Sequence, residues 1–124
     1  MTNFIGILHV GLLVKDTTRS LEFYRGVLGL EIDSTRPDLG YTGAWIRAGR
    51  QQIHLLELTS PDPVTGRPTH GGRDRHLALA VSDIVELRRA LDAAGIVYTH
   101  SKSGRKALFC RDPDGNALEF VEQS

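Results

Sequence analysis

The chain has 124 residues, with 15 Lys plus Arg against 15 Asp plus Glu, so its formal net charge is zero. One domain of this length buries roughly two thirds of its unfolded surface. A balanced charge offers nucleic acid or an anionic membrane no general attraction, and no basic stripe with interleaved aromatics appears. The N-terminus lacks a basic segment followed by a long apolar run, which predicts a cytoplasmic protein with no membrane partner. The single cysteine, Cys110, excludes an internal disulfide and reads as a packed thiol between Phe109 and Arg111.

Residues 5 to 14 form a short apolar run rich in β-branched residues, as expected of a strand. Asp16, Thr17 or Thr18 then caps a helix whose Leu21, Tyr24 and Leu28 fall at spacings of three and four, and Gly29 stops it. Strands follow at about 30 to 35, 41 to 48 and 51 to 58, with a turn at Gly49-Arg50. The segment 59 to 75, full of prolines, glycines and polar residues, sustains no period and is predicted to be a linker.

A second pass of the same order starts at His76. A strand to Val81 leads into a helix begun near Ser82-Asp83, striped by Ile84, Leu87 and Leu91 and ended by Gly95. Strands are expected near 96 to 100, 105 to 111 and 116 to 122, the last two joined by Asp112-Pro113-Asp114-Gly115. His9 and Asp16 recur as His76 and Asp83, 67 residues on in each case. The offset falls to 66 at Gly29 and Gly95, then to 65 where His54 answers Glu119. Two single-residue deletions in loops of the second copy would explain the drift. The expectation is one α+β domain over 1–124: two tandem βαβββ modules, 4–58 and 76–124, in pseudo-twofold arrangement, forming a curved, partly closed sheet around a metal site.

Side chains alternate across a strand, so each candidate ligand is judged by what shares its face. His76 lies with Ala78 and Ala80, Glu119 with Ala117 and Val121, and His9 with Gly11, all on the roomier face. His54 lies with Gln52 and Leu56, whereas Glu57 points to the other side, so one site cannot use both. Glu57 and Glu122 are expected at solvated outer or rim positions. His9, His54, His76 and Glu119 give three imidazoles and a carboxylate, a donor set for iron(II), manganese, nickel, cobalt or zinc. An octahedral ion so held keeps two positions open for a small substrate with adjacent oxygens. His70 and His100 read as ordinary hydrogen-bonded histidines.

Asp16-x-x-x-Ser20-x-x-Phe23-Tyr24-x-x-x-Leu28-Gly29, the paired βαβββ copies and Asp112-Pro113-Asp114-Gly115-Asn116-x-x-Glu119 resemble the vicinal oxygen chelate superfamily. That group includes glyoxalase I, extradiol dioxygenases and metal-free bleomycin-sequestering proteins. Gly43-Ala44-Trp45-Ile46 with Gln52-Ile53-His54-Leu55-Leu56 also looks like small glyoxalase-like proteins of unsettled activity. The resemblance implies His9, His76 and Glu119 as metal ligands and Glu119 as general base. It leaves the fourth position open between His54, which internal register selects, and Glu57, which a slid alignment would select.

The resulting expectation is a divalent-metal lyase or isomerase of glyoxalase type. The alternatives are a metal-free antibiotic-sequestering protein and an iron(II) extradiol-type dioxygenase. Arg67, Arg73 and Arg75 in the linker, or Lys102, Arg105 and Lys106, are candidates to bind a substrate anion, and Trp45, Tyr41 and Phe109 to form a stacking wall. Family analogy implies a homodimer, with the site built either in one chain or across the interface.

Overall fold

A computed structural model describes residues 1–124. Each half folds as expected, into a four-stranded sheet carrying one helix. The first contains β1 (His9–Leu13), α1 (Thr17–Leu21, continued as a π-helical segment Glu22–Val27), β2 (Glu31–Asp33), β3 (Gly43–Ala48) and β4 (Gln51–Leu56). The second contains β5 (His76–Val81), α2 (Ile84–Ala93), β6 (Tyr98–His100), β7 (Ala107–Arg111) and β8 (Ala117–Glu122). Strand orders are β1-β4-β3-β2 and β5-β8-β7-β6, with the β1–β4 and β5–β8 pairs parallel and the rest antiparallel. The chain therefore holds two sheets rather than one continuous one.

The same devices build both halves. Asp16 and Asp83 accept from backbone N–H groups of the first helical turns, at Arg19 in one and at Val85 and Glu86 in the other. Glu57 accepts from Thr17 N at 2.8 Å, and Glu122 accepts from Ile84 N at 3.1 Å. These glutamates are thus helix-capping carboxylates rather than solvated rim residues. Their partners lie far away in sequence, which is why strand parity alone did not find them.

The first step in the repeat offset falls inside the helix and not in a loop. In α1 the Leu28 N–H donates to the Phe23 carbonyl, five residues back, and that wider turn accommodates one more residue than α2 has before its glycine. Gly29 and Gly95 then occupy positive φ, as left-handed stops require.

One core spans the two modules. It includes Tyr24, Ile46, Ile53 and Leu55 from the first and Leu91, Leu108, Leu118 and Phe120 from the second. The Asp112-Pro113-Asp114-Gly115 turn latches them together as well as reversing the chain. Asp112 accepts from the buried Tyr24 hydroxyl at 2.6 Å, Asp114 accepts from Lys15 N and Arg19, and Asn116 donates to the Leu13 carbonyl. Burial pushes the Tyr24 hydroxyl well up and the Asp112 carboxyl up as well.

The linker is folded back on the second module. Asp74 takes a fork from Arg67 at 2.8 and 2.9 Å and a further contact from Arg111 at 2.8 Å, and these hydrogen bonds hold its carboxyl well below the usual range. Gly71 and Gly72 press against Phe109 so closely that added Cβ atoms would crowd Ala117, Phe109 and His70.

The expected first strand is shorter than its apolar run. Residues 4 to 8 lie outside β1, and Phe4, Ile5, Ile7 and Leu8 are exposed. β1 and β5 each pair on one side only, and a cavity of about 1920 Å³ lined by residues of both, including Val10, Leu12, Leu77 and Leu79, opens beside them. No helix is long and apolar enough to cross a membrane.

Candidate functional site

The roomier face of each sheet collects the residues that strand parity selected. In the first module His9, His54 and Trp45 stand on neighbouring strands and stack ring on ring across the sheet. His54 lies 3.9 Å from His9 at 13° and 4.5 Å from Trp45 at 9°. The stack covers both faces of the middle ring and partly buries it. That burial, with His9 next to it, lowers the His54 pKa and favours the neutral imidazole.

His54 Nε2 lies 2.8 Å from Gln52 Oε1, and Gln52 Nε2 donates to Asp33 at 2.7 Å. Asp33 also accepts from the Thr35 hydroxyl and backbone N–H, and these bonds hold its carboxyl down to about 2. Neither Asp33 nor Gln52 was singled out from the sequence. Gln52 carried a signal, since it shares a strand face with His54.

In the second module His76 Nδ1 lies 2.9 Å from the Asp74 carbonyl, which can only accept, so Nδ1 carries the proton. In the neutral ring the lone pair is therefore on Nε2. That atom is 3.3 Å from Glu119 Oε1, so two acceptors face each other where a proton or a metal ion would satisfy both. Glu119 is buried, and its Oε2 accepts from the half-exposed Arg105 at 3.0 Å. Phe109 lies opposite Glu119 in the ladder and meets the edges of both His76 and His70. His70 bonds Thr99, as an ordinary structural histidine would, and His100 lies edge-on to Tyr98.

The structure thus gathers the four candidate ligands as two pairs, one per module. Nowhere in the chain do three or more His, Cys, Asp or Glu side chains come together in a group able to hold an ion. The pairs also differ in kind. An imidazole binds a metal in its own ring plane, and two rings stacked 3.9 Å apart at 13° have planes that do not meet within bonding reach. As they lie, His9 and His54 cannot share one ion. His76 Nε2 and Glu119 Oε1, 3.3 Å apart, are close enough to share one.

Of the other cations, Arg67 is committed to Asp74, Arg75 to Asp62 and Lys106 to Glu122. Arg105 is the one that reaches a candidate site residue. Tyr41 lies under the Arg36 guanidinium. Burial raises the Cys110 thiol to about 12, which leaves it protonated and inert.

Fold, duplication and paired acid–imidazole chemistry together define a class. Residues 6–120 match the model of the Glyoxalase/Bleomycin resistance protein/Dioxygenase superfamily, and the chain belongs to that family. Among its relatives, the lactoylglutathione lyase of Haemophilus influenzae is 35% identical over an alignment covering 94% of this chain and 91% of that protein. A glyoxalase family protein from Bacillus anthracis superposes with a TM-score of 0.81 at 27% identity, covering both chains in full. The antibiotic-binding protein TnmS3 of Streptomyces sp. CB03234 shares the fold at a TM-score of 0.73 and 16% identity, which speaks to architecture alone.

Proposed function

We propose that the protein is a divalent-metal enzyme of glyoxalase type, catalysing lyase or isomerase proton transfer on a small substrate with adjacent oxygens. The observation that carries this reading is the approach of His76 Nε2 to Glu119 Oε1 at 3.3 Å, with the carboxylate buried and beside a guanidinium. An ion there, of iron, manganese, nickel, cobalt or zinc, would act as a Lewis acid toward a substrate carbonyl. Glu119 is the general base: it takes a proton from the carbon next to the carbonyl and returns it to the neighbouring carbon, so that no atom is gained or lost. Arg105, half-exposed and bonded to Glu119, binds an anionic group of the substrate, and Trp45 and Phe109 form apolar walls.

The working form on this reading is a homodimer whose sites are shared. His9 of one copy joins His76 and Glu119 of another, while His54 stays in the ring stack. Three features support the dimer: β1 and β5 each leave one edge open, the apolar residues of segment 4 to 8 are exposed, and a large cleft adjoins those edges.

The similarity to a lactoylglutathione lyase makes a glutathione adduct of a 2-oxoaldehyde the first substrate to try. The test is turnover of that adduct by protein loaded with each metal in turn. Turnover that requires metal and falls on the order of 10²- to 10⁴-fold in Glu119→Gln is expected. Ring opening of catechols with iron alone would point to dioxygenase chemistry instead. Tight binding of an aromatic antibiotic by metal-free protein, with no reaction, would point to sequestration.

A further inference from the structure

The hydrogen bonds around His54 determine where its proton sits. An ionised carboxylate only accepts, so the Gln52 atom 2.7 Å from Asp33 must be the amide NH₂. The amide oxygen then faces His54 Nε2 at 2.8 Å and can only accept, so Nε2 must bear the hydrogen. The Gln52 amide passes orientation along this chain without placing a formal charge on the imidazole. A carboxylate in direct contact would instead favour the imidazolium.

His9, by contrast, has no hydrogen bond of its own and is exposed; its ring contact is the 3.9 Å stack on His54. Trp45 closes the other face of His54 at 4.5 Å. The plane of the His9 ring therefore depends on the plane of His54. That plane depends in turn on Gln52 and Asp33, and Thr35 and Arg47 steady Asp33.

We propose that Asp33, Gln52 and His54 form a positioning relay: Asp33 and Gln52 fix His54 as the Nε2–H tautomer, and the fixed ring orients His9 by stacking instead of ligating an ion itself. The aim of His9 as a donor rests on the metal reading above; the tautomer does not. Such outer partners set ring orientation at metal sites generally, and here the oriented ring would lie one layer beyond the usual carboxylate–imidazole contact.

The relay is tested by nitrogen-15 correlation spectra of the histidine rings in metal-free, full-length protein, in wild type, Gln52→Leu and Asp33→Asn. Wild type should show a proton-bearing Nε2 and a lone pair on Nδ1 at His54. Both variants should show a mixture: Gln52→Leu removes the acceptor, and the amide introduced by Asp33→Asn can turn its NH₂ toward Gln52 and release that side chain to flip. A lone pair on Nε2 in wild type, or the same tautomer balance in all three proteins, would overturn the relay. Far-UV circular dichroism confirms that each variant is folded, and either variant alone suffices.

Zinc titration then separates positioning from ligation. His54→Phe, which keeps a ring in the stack but cannot bond Gln52, should lose less zinc affinity than His54→Ala, which removes the ring and should lose tenfold or more. Equal loss in both would make His54 a ligand and overturn the positioning role. Wild type that takes up no zinc would end the metal reading, and the tautomer result would still decide the relay.

Discussion

The two modules share a frame and differ in chemistry. Asp16 and Asp83, Glu57 and Glu122, and Gly29 and Gly95 do the same jobs in both halves. On the roomier face the modules part. The second presents a histidine with a proton on Nδ1 and its Nε2 turned to a buried carboxylate. The first presents a histidine with its proton on Nε2, locked in a stack of rings. After duplication, residues that satisfy helix ends stay tied to the backbone, because every helix needs them. Residues on the open face carry no such obligation and are free to diverge.

If the halves are one cooperative unit, the largest effects come from the shared core. Ile53→Ala and Leu118→Ala each create a buried void and should each cost about 2–5 kcal/mol, with one unfolding transition retained in both. Two separate transitions in differential scanning calorimetry would break the picture of a common core. Tyr24→Phe removes the buried hydroxyl that bonds Asp112 across the modules and should cost about 1–3 kcal/mol in urea unfolding. A neutral result would mean that the latch contributes nothing.

Equivalence of the frames is sharpened by Glu57→Ala and Glu122→Ala. Each removes a carboxylate from a helix N-terminus and should destabilise by about 0.5–2 kcal/mol, similarly in the two modules. Neither should change zinc uptake; loss of zinc in Glu57→Ala would make Glu57 the fourth ligand after all.

Acid acts on both halves as well. Asp33 in the first module has a folded pKa of about 2, below the ordinary 3.8, so its stabilisation is complete above 3.8 and is lost as pH falls through about 2. Asp74 at the second module is shifted in the same direction. Thermal stability should therefore fall on acidification across that window, and Asp33→Asn should make the fall shallower.

Much of this frame was legible in the sequence, because it rests on local signals: caps, glycine stops and the period-two alternation that separated His54 from Glu57. What escaped notice depends on contacts between distant segments. The role of Glu57 needs Thr17, that of Asp112 needs Tyr24, and the relay needs Asp33 on a three-residue strand with no period to read. The π-helical turn was visible only as a drift in offset, which fits an insertion in a helix as well as one in a loop. Parity placed His54 on the correct face but could not show its ring lying flat against His9.

On the proposed reading, a complete site draws His9 from one copy and His76 and Glu119 from another. Mixing inactive His9→Ala with inactive His76→Ala protein, after subunits have exchanged, tests it most directly. Each mixed dimer then holds one site with every residue intact, so about a quarter of wild-type activity and zinc should return at equal mixing. If subunits demonstrably exchange and neither activity nor zinc returns, the shared site is contradicted.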